Sequence, residues 1–490
     1  MRRTPLLLPL LPVLLLAGCA DHPLPTAVAP EGAALSTGPG DYVVTTTANS
    51  GSGSLRAAIL AAQGAAGAKT ITFDIPAGAG GCSAGVCTIT LASELQVSKA
   101  DGLTIDGSGQ RITLSGGNSN EVIINEWQSV LTVKHLTIAN GDGFAGGGIV
   151  NDEGTLTVSH STFSGNSAHL GGGIYNFRGT LTVSHSTFSA NSATTVGGGI
   201  YSYTGTVTIS HSTFSGNRAD AGGGMVGDAA RTTISHSTFS GNSATSLGAG
   251  VVHLGLGLRI KNSIIANSPS GTNCYALIDE SSEGNLSTDD SCELGFTQVS
   301  SAALNLGLLA DNDGPTQTHA LGTGSVAIDA VTDCTEWNGS TATTDQRGYY
   351  RVAPCDIGAY EYGATTTPPP ASYTFVGFTG SVKNPNVLNV AKAGQTIPLQ
   401  WRLLDGSGTP VTTLSSVTVR VESLSCSAGT TQDKVRENAA GKSGLQNLGG
   451  GYYQYNWATP KSYANSCKTL TLTLGDGIGL APQALFKFTR

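Results

Sequence analysis

The sequence contains few charged side chains. Asp, Glu, Lys and Arg make up 12% of the 490 residues, against roughly 25% in an average protein. The formal net charge is -8, and no cluster of Lys or Arg lies beyond the N-terminal leader. Because proteins bind nucleic acids and anionic lipid headgroups through such basic clusters, the composition argues against both as partners.

Helical periodicity is also missing from the middle of the chain, where a short sequence recurs instead. The heptapeptide His-Ser-Thr-Phe-Ser-Gly-Asn occurs several times, with degenerate copies at both ends. The copies begin at His135, His160, His185, His211, His236 and Asn262. The intervals are 25, 25, 26, 25 and 26 residues, and so regular a period predicts a solenoid with one structural unit per copy.

Alignment of the copies shows three apolar columns, and the residues around them alternate between polar and apolar. The columns are Val133, Val158, Val183, Ile209, Ile234 and Ile260; Ile138, Phe163, Phe188, Phe214, Phe239 and Ile265; and Ile149, Ile174, Ile200, Met225 and Val251. A period of two is typical of strands, so we expect three short strands per unit. The predicted fold is all-β, a right-handed single-stranded parallel β-helix of the pectate-lyase type, whose hand follows from the preference of parallel crossovers. Equivalent side chains would stack about 4.8 Å apart.

Residues 1–18 have the layout of a secretory signal peptide. Two arginines precede a Leu/Pro-rich stretch that is shorter than the roughly 20 residues needed to span a bilayer. The stretch ends in Leu-Ala-Gly-Cys at Cys19, which is similar to the lipobox of bacterial lipoproteins. The resemblance implies that Cys19 becomes the mature N-terminus and carries a lipid anchor. Ala20, and not Asp, follows the cysteine, which favours the outer membrane. Residues 19–40 would then form a flexible tether, and an ordinary signal peptide with a chance cysteine is the alternative.

Eight further cysteines fall into local pairs. Such pairing is typical of proteins from an oxidising compartment, so we expect four disulfide bonds. The candidate pairs are Cys82/Cys87, Cys274/Cys292, Cys334/Cys355 and Cys426/Cys467. Metal binding is the alternative for any pair, but the sequence has no Cys-x-x-Cys or clustered Cys/His spacing, and we predict neither a metal nor a cofactor.

Residues 41–130 are expected to cap the N-terminal end of the solenoid and to form its first coils, ahead of the repeats at 131–299. A cap is needed because the first coil would otherwise expose its core and an unpaired strand edge. The segment carries a helical stretch at Gly53–Gln63. Its Ser-Leu-Arg-x-Ala-Ile and Thr-Ile-x-Phe motifs resemble the N-terminal region of bacterial surface β-helix proteins. The repeats, with Phe-Ser-Gly-Asn followed by Gly-Gly-Gly-Ile, resemble those of the polymorphic outer-membrane proteins.

Residues 300–362 contain a dense set of motifs with charged side chains. The motifs Leu309–Leu321, Asp345–Gly348 and Cys355–Glu361 together resemble the choice-of-anchor Q region of bacterial surface proteins. That family ends β-helical ectodomains and precedes varied means of attachment. We interpret the Asp, Arg and Glu side chains as structural groups that pair with one another and close the last coil, because unpaired buried charges are costly.

The remainder of the chain predicts a second domain. A Pro-rich linker at 363–371 leads to residues 372–490, where short alternating strands with turn signals predict an immunoglobulin-like β-sandwich. This part resembles the PxKF domain. It departs from the signature at Gln400 and Trp401, where that family has Lys and Phe.

The repeated histidines raise catalysis and metal binding as hypotheses. A nucleophile and its base need one unique constellation, whereas this column repeats five times and is continued by Asn262. A turn at which His or Asn hydrogen-bonds to the backbone explains both facts. We therefore interpret the column as structural.

The carboxylates of the repeats raise glycoside hydrolysis as a hypothesis. That reaction uses two carboxyl groups about 5 to 9.5 Å apart. Asp152 and Asp228 share a column, but Phe177 and Tyr203 lie between them, so the two carboxylates are expected about 14 Å apart. Asp142 stands alone in its turn. The Asp-Asn-Asp-Gly sequence at 311–314 could bind calcium, but it lacks a distant bidentate acid and is interpreted as a turn.

Four aromatic side chains in two neighbouring repeats give the main binding hypothesis. If Ile174 and Ile200 face the core, alternation turns the next residue of each strand outward, and the residue two positions further on continues the same outer face. These rings are Tyr175, Phe177, Tyr201 and Tyr203, with Asp152, Glu153, Arg178 and Asp228 at the rim. Exposed rings that repeat at roughly 5 Å suit an extended sugar chain. The alternative is cross-strand packing that only stabilises the sheet.

The predicted function is that of a noncatalytic, lipid-anchored cell-surface protein, an adhesin or a glycan- or protein-binding β-helix. The membrane is the expected partner through the lipidated N-terminus, with a glycan or surface protein as ligand. Two alternatives stay open. One is a polysaccharide lyase or glycoside hydrolase on the same scaffold, and the other is a structural spacer in the envelope.

Overall fold

The computed structural model describes residues 36–38, 41–98, 101–367, 373–383, 387–405, 408–426, 431–434, 444–475 and 480–490. The predicted signal peptide, the lipidation site Cys19, most of the tether and part of the Pro-rich linker lie outside these residues. The chain divides into two compact units at Thr366/Thr367. None of the helices in the described ranges is both long enough and apolar enough to cross a membrane.

The first unit is a right-handed parallel β-helix of about ten coils, which confirms the predicted fold class. Its strands form four rows along the helix axis. Row 1 contains Leu95–Val97, Ile123–Asn125, Ile149–Asp152, Ile174–Phe177, Ile200–Tyr203, Met225–Asp228, the start of Val251–Lys261, and Cys274–Ile278. Row 2 contains Asp41–Val44, Lys69–Phe73, Leu103–Asp106, Val130–Lys134, Thr155–Ser159, Thr180–Ser184, Thr206–Ser210, Arg231–Ser235 and the end of Val251–Lys261.

The other two rows complete each coil. Row 3 contains Val86–Thr90, Arg111–Ser115, Leu136–Ala139, Thr162–Ser164, Thr187–Ser189, Thr213–Ser215, Thr238–Ser240, Ile264–Ala266, Asn285–Ser287 and Phe296–Gln298. Row 4 contains Asp142–Ala145, Ser167–Leu170, Ser192–Val196, Arg218–Ala221 and Ser243–Leu247. Strands within each row pair in parallel, for example Thr162–Ser164 with Thr187–Ser189.

The prediction of three strands per unit was wrong for the central coils, which have four. The missed strands are those of row 4, whose inward side chains are small. Ala168, Ala193, Ala219 and Ala244 are buried there. An alanine column gives little hydrophobic contrast with the neighbouring Ser and Thr, so alternation in the sequence did not reveal it.

The core contains a continuous stack of phenylalanines. Successive ring centroids of Phe163, Phe188, Phe214 and Phe239 are 4.6, 4.7 and 4.3 Å apart, with nearly parallel planes. All four side chains are fully buried. The aligned apolar columns of the sequence are therefore columns of the core, with strand spacing between neighbours.

Two asparagine ladders hold the turns of successive coils together. Asn191 donates through Nδ2 to the carbonyl of Phe163 at 3.0 Å and to Oδ1 of Asn217 at 2.9 Å, and its own Oδ1 accepts from the backbone of Asn166. In the second ladder Asn151 donates to Asn176 at 2.6 Å. These amides satisfy buried backbone groups where the strands end.

The N-terminal helix spans Leu55–Gln63, with Ser54 as its N-cap. Its buried face, which includes Leu55 and Ile59, joins the main core. Arg56 donates to the backbone carbonyls of Ser93 and Glu94 at 2.7 Å each. The arginine of the Ser-Leu-Arg motif therefore fixes the helix to the first coils. The short strand Ser36–Gly38 pairs antiparallel with row 2 at Asp41–Val44.

The segment after the last coil, residues 306–362, is called here the return segment. It begins with the strands Leu306–Ala310 and Thr318–Leu321, which follow the helix Ser301–Leu304. It was expected to close the last coil, but it also runs back along row 3. Its Gln317 carbonyl accepts from Thr187 and its Gln346 side chain accepts from Thr213, both at 2.6 Å.

The charged motifs of the return segment pair with one another. Arg347 binds Asp345 at 2.7 Å, and Arg351 binds Glu361 at 2.8 Å. All four side chains are nearly inaccessible to solvent. Paired and hydrogen-bonded in this way, they are structural groups of the kind expected from the sequence.

Disulfide bonds are present in both units. They join Cys82 to Cys87, Cys274 to Cys292, Cys334 to Cys355, and Cys426 to Cys467. The strand Cys82–Ser83 forms a hairpin with row 3 at Val86–Thr90. The bonded cysteines are 5 to 41 residues apart in the sequence. Each bond therefore closes a local loop of the chain.

The second unit is a β-sandwich. One sheet is antiparallel and contains Tyr373–Thr379, Thr396–Asp405, Tyr452–Ala458 and Leu445–Gly449. The other contains Val417–Leu424, Cys467–Leu474, Gln483–Thr489, Val387–Lys392 and Thr431–Lys434, and a 3-10 turn spans Lys461–Tyr463. Trp401, which departs from the PxKF signature, is fully buried and its ring lies 5.9 Å from that of Tyr453.

Candidate ligand-binding face

Row 1 carries four aromatic side chains on its outer surface, which we call the aromatic face: Tyr175, Phe177, Tyr201 and Tyr203. The strands Ile174–Phe177 and Ile200–Tyr203 pair in register, so Tyr175 lies beside Tyr201 and Phe177 beside Tyr203. The ring centroids of these pairs are 5.4 and 5.8 Å apart, and both pairs are stacked. Ile174 and Ile200 are fully buried, so the alternation places the rings outside as the sequence predicts.

The rings of the aromatic face are half-buried. The rings pack against one another, and the ring centroid of Tyr175 lies 6.1 Å from that of Phe177. Burial, followed by the negative charge of Asp152, raises the pKa of the Tyr175 hydroxyl to about 12. Burial and the charge of Asp228 raise the pKa of Tyr201 in the same direction. Both hydroxyls therefore stay protonated near neutral pH and can donate hydrogen bonds to a ligand.

One rim of the face carries Asp152, Glu153 and Arg178. Arg178 lies 4.8 Å from the ring centroid of Phe177 and 3.4 Å from Oε1 of Glu153. Burial, and then the charge of Glu153, raises the pKa of Asp152, while Arg178 opposes the shift. Asp152 pairs with Phe177 in the strand register, so its carboxylate stands one coil before the rings.

The opposite rim is formed by Asp228, which follows Tyr203 in the register. The hydroxyl of Tyr201 points to its Oδ2 at 3.5 Å. Burial raises the pKa of Asp228, and the hydrogen bond from Tyr201 opposes the shift. The two rim aspartates thus lie on either side of the rings, in the register expected from the sequence, with Phe177 and Tyr203 between them.

The aromatic face ends sharply at both neighbouring coils. The column of Tyr175 and Tyr201 continues as Val150 on one side and Val226 on the other. Val226 is buried. The face is therefore a local feature of two coils, flanked by acids, in a solenoid whose other columns run through many coils.

The histidine column forms a ladder of stacked rings, with centroids 4.8 to 5.2 Å apart from His135 to His236. Each histidine has a positive φ between 44° and 55°, and Asn262 at the same place in the next coil has φ 51°. Left-handed backbone is favoured for His and Asn among residues other than glycine. The geometry supports the interpretation of this column as a turn.

Burial sets the protonation of the ladder. It lowers the pKa of His185 to about 4 and that of His236 to about 3, and it lowers the pKa of His211 well below its usual value. The charge of a neighbouring histidine or of Arg351 acts in the same direction. The inner rings are therefore neutral at physiological pH and suited to packing.

Glu121 is a carboxyl group that sequence reasoning missed. Burial, with a smaller contribution from the charge of Glu94, raises its pKa to about 7, while backbone hydrogen bonds from Ala145 and Phe144 oppose the shift. The Phe144 ring beside it is 66% exposed and lies 5.2 Å from the ring of His169. An acid with a pKa near neutrality can serve as a proton donor. Glu94 and Glu121 precede the first full heptapeptide, so the repeat alignment did not reach them.

The Asp-Asn-Asp-Gly sequence adopts a turn in the return segment. The backbone of Asp313 donates to Oδ1 of Asp311 at 3.2 Å, and Asn312 donates to the carbonyl of Thr318 at 2.9 Å. Across the described ranges no group of three or more His, Cys, Asp or Glu side chains is arranged to hold a metal ion.

Comparison with known proteins supports the fold. A family model described as a right handed beta helix region matches residues 78–239. The match covers about a third of the chain and includes the aromatic face. No curated protein and no solved structure gives a significant match to the sequence. The comparisons therefore identify the β-helix repeats and leave the choice between binding and catalysis to the site itself.

Proposed function

We propose that this protein is a noncatalytic cell-surface lipoprotein that binds extended glycans through the aromatic face. The observation that carries the proposal is two stacked pairs of half-exposed rings, each formed between two adjacent coils, with carboxylates on both sides and Arg178 at one rim. Such rings offer apolar surface to the faces of sugar rings, while hydroxyl and carboxylate groups bind sugar hydroxyls.

The dimensions of the face suit a linear chain. Ring centroids are 5.4 to 5.8 Å apart between coils, close to the repeat of an extended sugar chain, so consecutive sugars could contact consecutive coils. The local character of the face also favours binding over packing. Aromatic packing that only stabilised the sheet would be useful in every coil. In the two neighbouring coils, however, Val150 and Val226 occupy the position of Tyr175 and Tyr201.

Attachment to the envelope is the second part of the proposal. The Leu-Ala-Gly-Cys sequence implies lipidation of Cys19, with the protein held at the outer membrane and exposed on the surface. Four disulfide bonds are consistent with an oxidising compartment. The resemblance of residues 300–362 to the choice-of-anchor Q region and of the second unit to the PxKF domain supports the same location.

A glycan array tests the binding proposal. We expect wild-type protein to bind a subset of linear glycans and the Tyr175→Ala/Tyr201→Ala variant to lose that binding. Tyr175→Phe/Tyr201→Phe keeps the rings and separates stacking from hydroxyl contacts. Thr157→Ala/Thr182→Ala changes the outer surface of row 2 in the same coils and is the matched control. Equal binding by wild type and the double alanine variant would remove the aromatic face from consideration, and no binding by any protein would favour the spacer.

A polysaccharide-degrading enzyme is the second candidate, and Glu121 favours it. A half-buried carboxyl with a pKa near 7 beside another carboxylate resembles the acid of a glycoside hydrolase in its chemistry. Incubation with acidic and neutral polysaccharides, followed by assays for reducing ends and unsaturated products, separates the two functions. The binding proposal predicts no turnover. Turnover that Glu121→Gln abolishes and Asp142→Asn preserves would establish the enzyme.

A further inference from the structure

The outer surface of row 3 carries a column of threonines. Registered strand pairs connect Thr88, Thr113, Thr137, Thr162, Thr187, Thr213 and Thr238 through seven coils. The last three are buried under the return segment, and the others are half-buried and face outward. The same surface is therefore covered at one end and open at the other.

The covered part shows what this surface binds. Thr187 donates to the Gln317 carbonyl at 2.6 Å, and the Gln346 amide donates to Thr187 at 2.8 Å. Thr238 accepts from the backbone of Ala359 at 3.0 Å. Each threonine thus meets an amide group of a chain that runs across the coils.

The ladder beside the threonines takes part in the same contacts. Thr316 donates to the carbonyl of His185 at 3.1 Å, and the Nδ1 atom of His211 lies 3.2 Å from Oε1 of Glu336. His319 places Nε2 at 2.9 Å from Oγ of Ser215. The return segment therefore contacts successive coils through hydroxyl, imidazole and carboxylate groups.

The open part is a groove of about 870 Å³. Its floor includes Thr113, Thr137 and Thr162, and its sides include His135 and His160. The Cys82–Cys87 hairpin forms another wall, and Asp311 and residues 314–317 of the return segment form the end. None of the residues that line the groove is Phe, Tyr or Trp, so the groove lacks the rings on which sugars stack.

We propose that this open groove binds an extended polypeptide segment of a partner protein, held by amide groups on the threonine column. The groove continues a surface that already binds extended polypeptide in the same molecule, with equivalent threonines and histidines in each coil. From Val86 to Thr162 the floor crosses three steps between coils, about 14 Å in all. An extended segment of about four or five residues spans that length. This site lies on row 3 and is separate from the aromatic face on row 1.

The sequence of the return segment itself supplies a probe. In the molecule, Gln317 and His319 contact Thr187 and Ser215; displaced by two coils, the same contacts would fall on Thr137 and Ser164. A fluorescent, end-blocked peptide with the sequence of residues 314–319 (Gly-Pro-Thr-Gln-Thr-His) is titrated with the full chain and followed by anisotropy. A peptide with the same residues in scrambled order is the ligand control.

The expected result is saturable binding of the peptide and weaker binding of the scrambled control. Thr137→Val/Thr162→Val keeps side-chain shape and removes two hydroxyls, so affinity should fall roughly tenfold. Thr132→Val/Thr157→Val makes the same change on row 2 and should leave affinity unchanged.

Three results would overturn the peptide site. They are the absence of saturable binding up to about 1 mM peptide, equal affinity in the Thr137/Thr162 variant, or displacement of the peptide by an oligomer of N-acetylglucosamine, whose amides would then be the preferred ligand. Tyr175→Ala/Tyr201→Ala must leave peptide binding unchanged. Failure here is therefore distinguishable from failure of the glycan proposal.

Discussion

Two sets of stacked rings lie in the same coils of this β-helix and differ in how far they extend. The phenylalanine stack runs through four coils without interruption and is fully buried. The aromatic face occupies two coils, is half-buried and gives way to valine and aspartate on both sides. Spacing between rings is similar, at 4.3 to 4.7 Å in the first set and 5.4 to 5.8 Å in the second.

The difference separates structural columns from a local surface. A residue type that is repeated in every coil has a structural role common to all coils, such as filling the core or forming the turn. The phenylalanines, the histidines and the asparagine ladders are of this kind. A residue type confined to two coils answers no such general need, and when it is also exposed it becomes a candidate for binding.

The largest expected effect comes from the phenylalanine stack. Phe188→Ala should destabilise the β-helix by about 3 to 5 kcal/mol, because it leaves a cavity between two rings that cannot close. Urea unfolding followed by circular dichroism measures the change. Phe177→Ala, in the aromatic face on row 1, should cost less than about 1 kcal/mol. Equal losses would erase the distinction between the two stacks.

A smaller effect is expected from the asparagine ladder. Asn191→Ala removes the donor to the Phe163 carbonyl and the acceptor for the Asn166 backbone, which leaves buried polar groups unpaired and should cost about 1 to 3 kcal/mol. The exposed Thr180 gives a control, and Thr180→Ala should be nearly neutral in the same urea experiment. A neutral Asn191→Ala would mean that the ladder does not hold the coils together.

The histidine ladder predicts acid sensitivity. His185 is neutral in the folded protein down to a pKa of about 4, against an ordinary value of 6.5. Between these pH values the unfolded chain binds a proton that the folded protein does not, so this residue lowers the free energy of unfolding as the pH falls from 6.5 to 4. Glu361, whose pKa burial raises to about 7, acts in the opposite direction, so a variant is needed to isolate the histidine.

His185→Asn isolates it, because Asn262 shows that asparagine fits this turn. In the variant, the number of protons taken up on unfolding between pH 6.5 and 4 should fall by about one. Urea unfolding at a series of pH values measures this number as the slope of the free energy of unfolding against pH. Thr180→Ala changes an exposed residue that does not titrate and should keep the wild-type slope. An unchanged slope in His185→Asn would contradict a neutral, buried ladder.

Much of the solenoid could be predicted because the sequence repeats with a regular period and its aligned copies share apolar columns. The 25- or 26-residue spacing fixed which side chains stack, including Phe163 on Phe188 and Tyr175 on Tyr201. The outward direction of the rings followed from alternation with Ile174. Chain-local cysteine pairs also indicated where the disulfide bonds lie.

Other features could not be predicted because nothing repeats in them or because their side chains are small. Row 4 presents only small residues to the core, for example Ala168. The contacts of the return segment, such as Thr187 with Gln317, join residues 130 positions apart and have no period that an alignment could detect. Glu121 is unusual through burial and the nearby charge of Glu94, which only the folded coils create.

The most direct test of the central claim combines binding and stability in one variant, Tyr175→Ala/Tyr201→Ala. If the aromatic face is a binding surface, this variant loses glycan binding on the array, while its urea midpoint stays close to that of wild type. Retained binding, or a loss of stability as large as that of Phe188→Ala, would contradict the claim and make the face part of the structural packing.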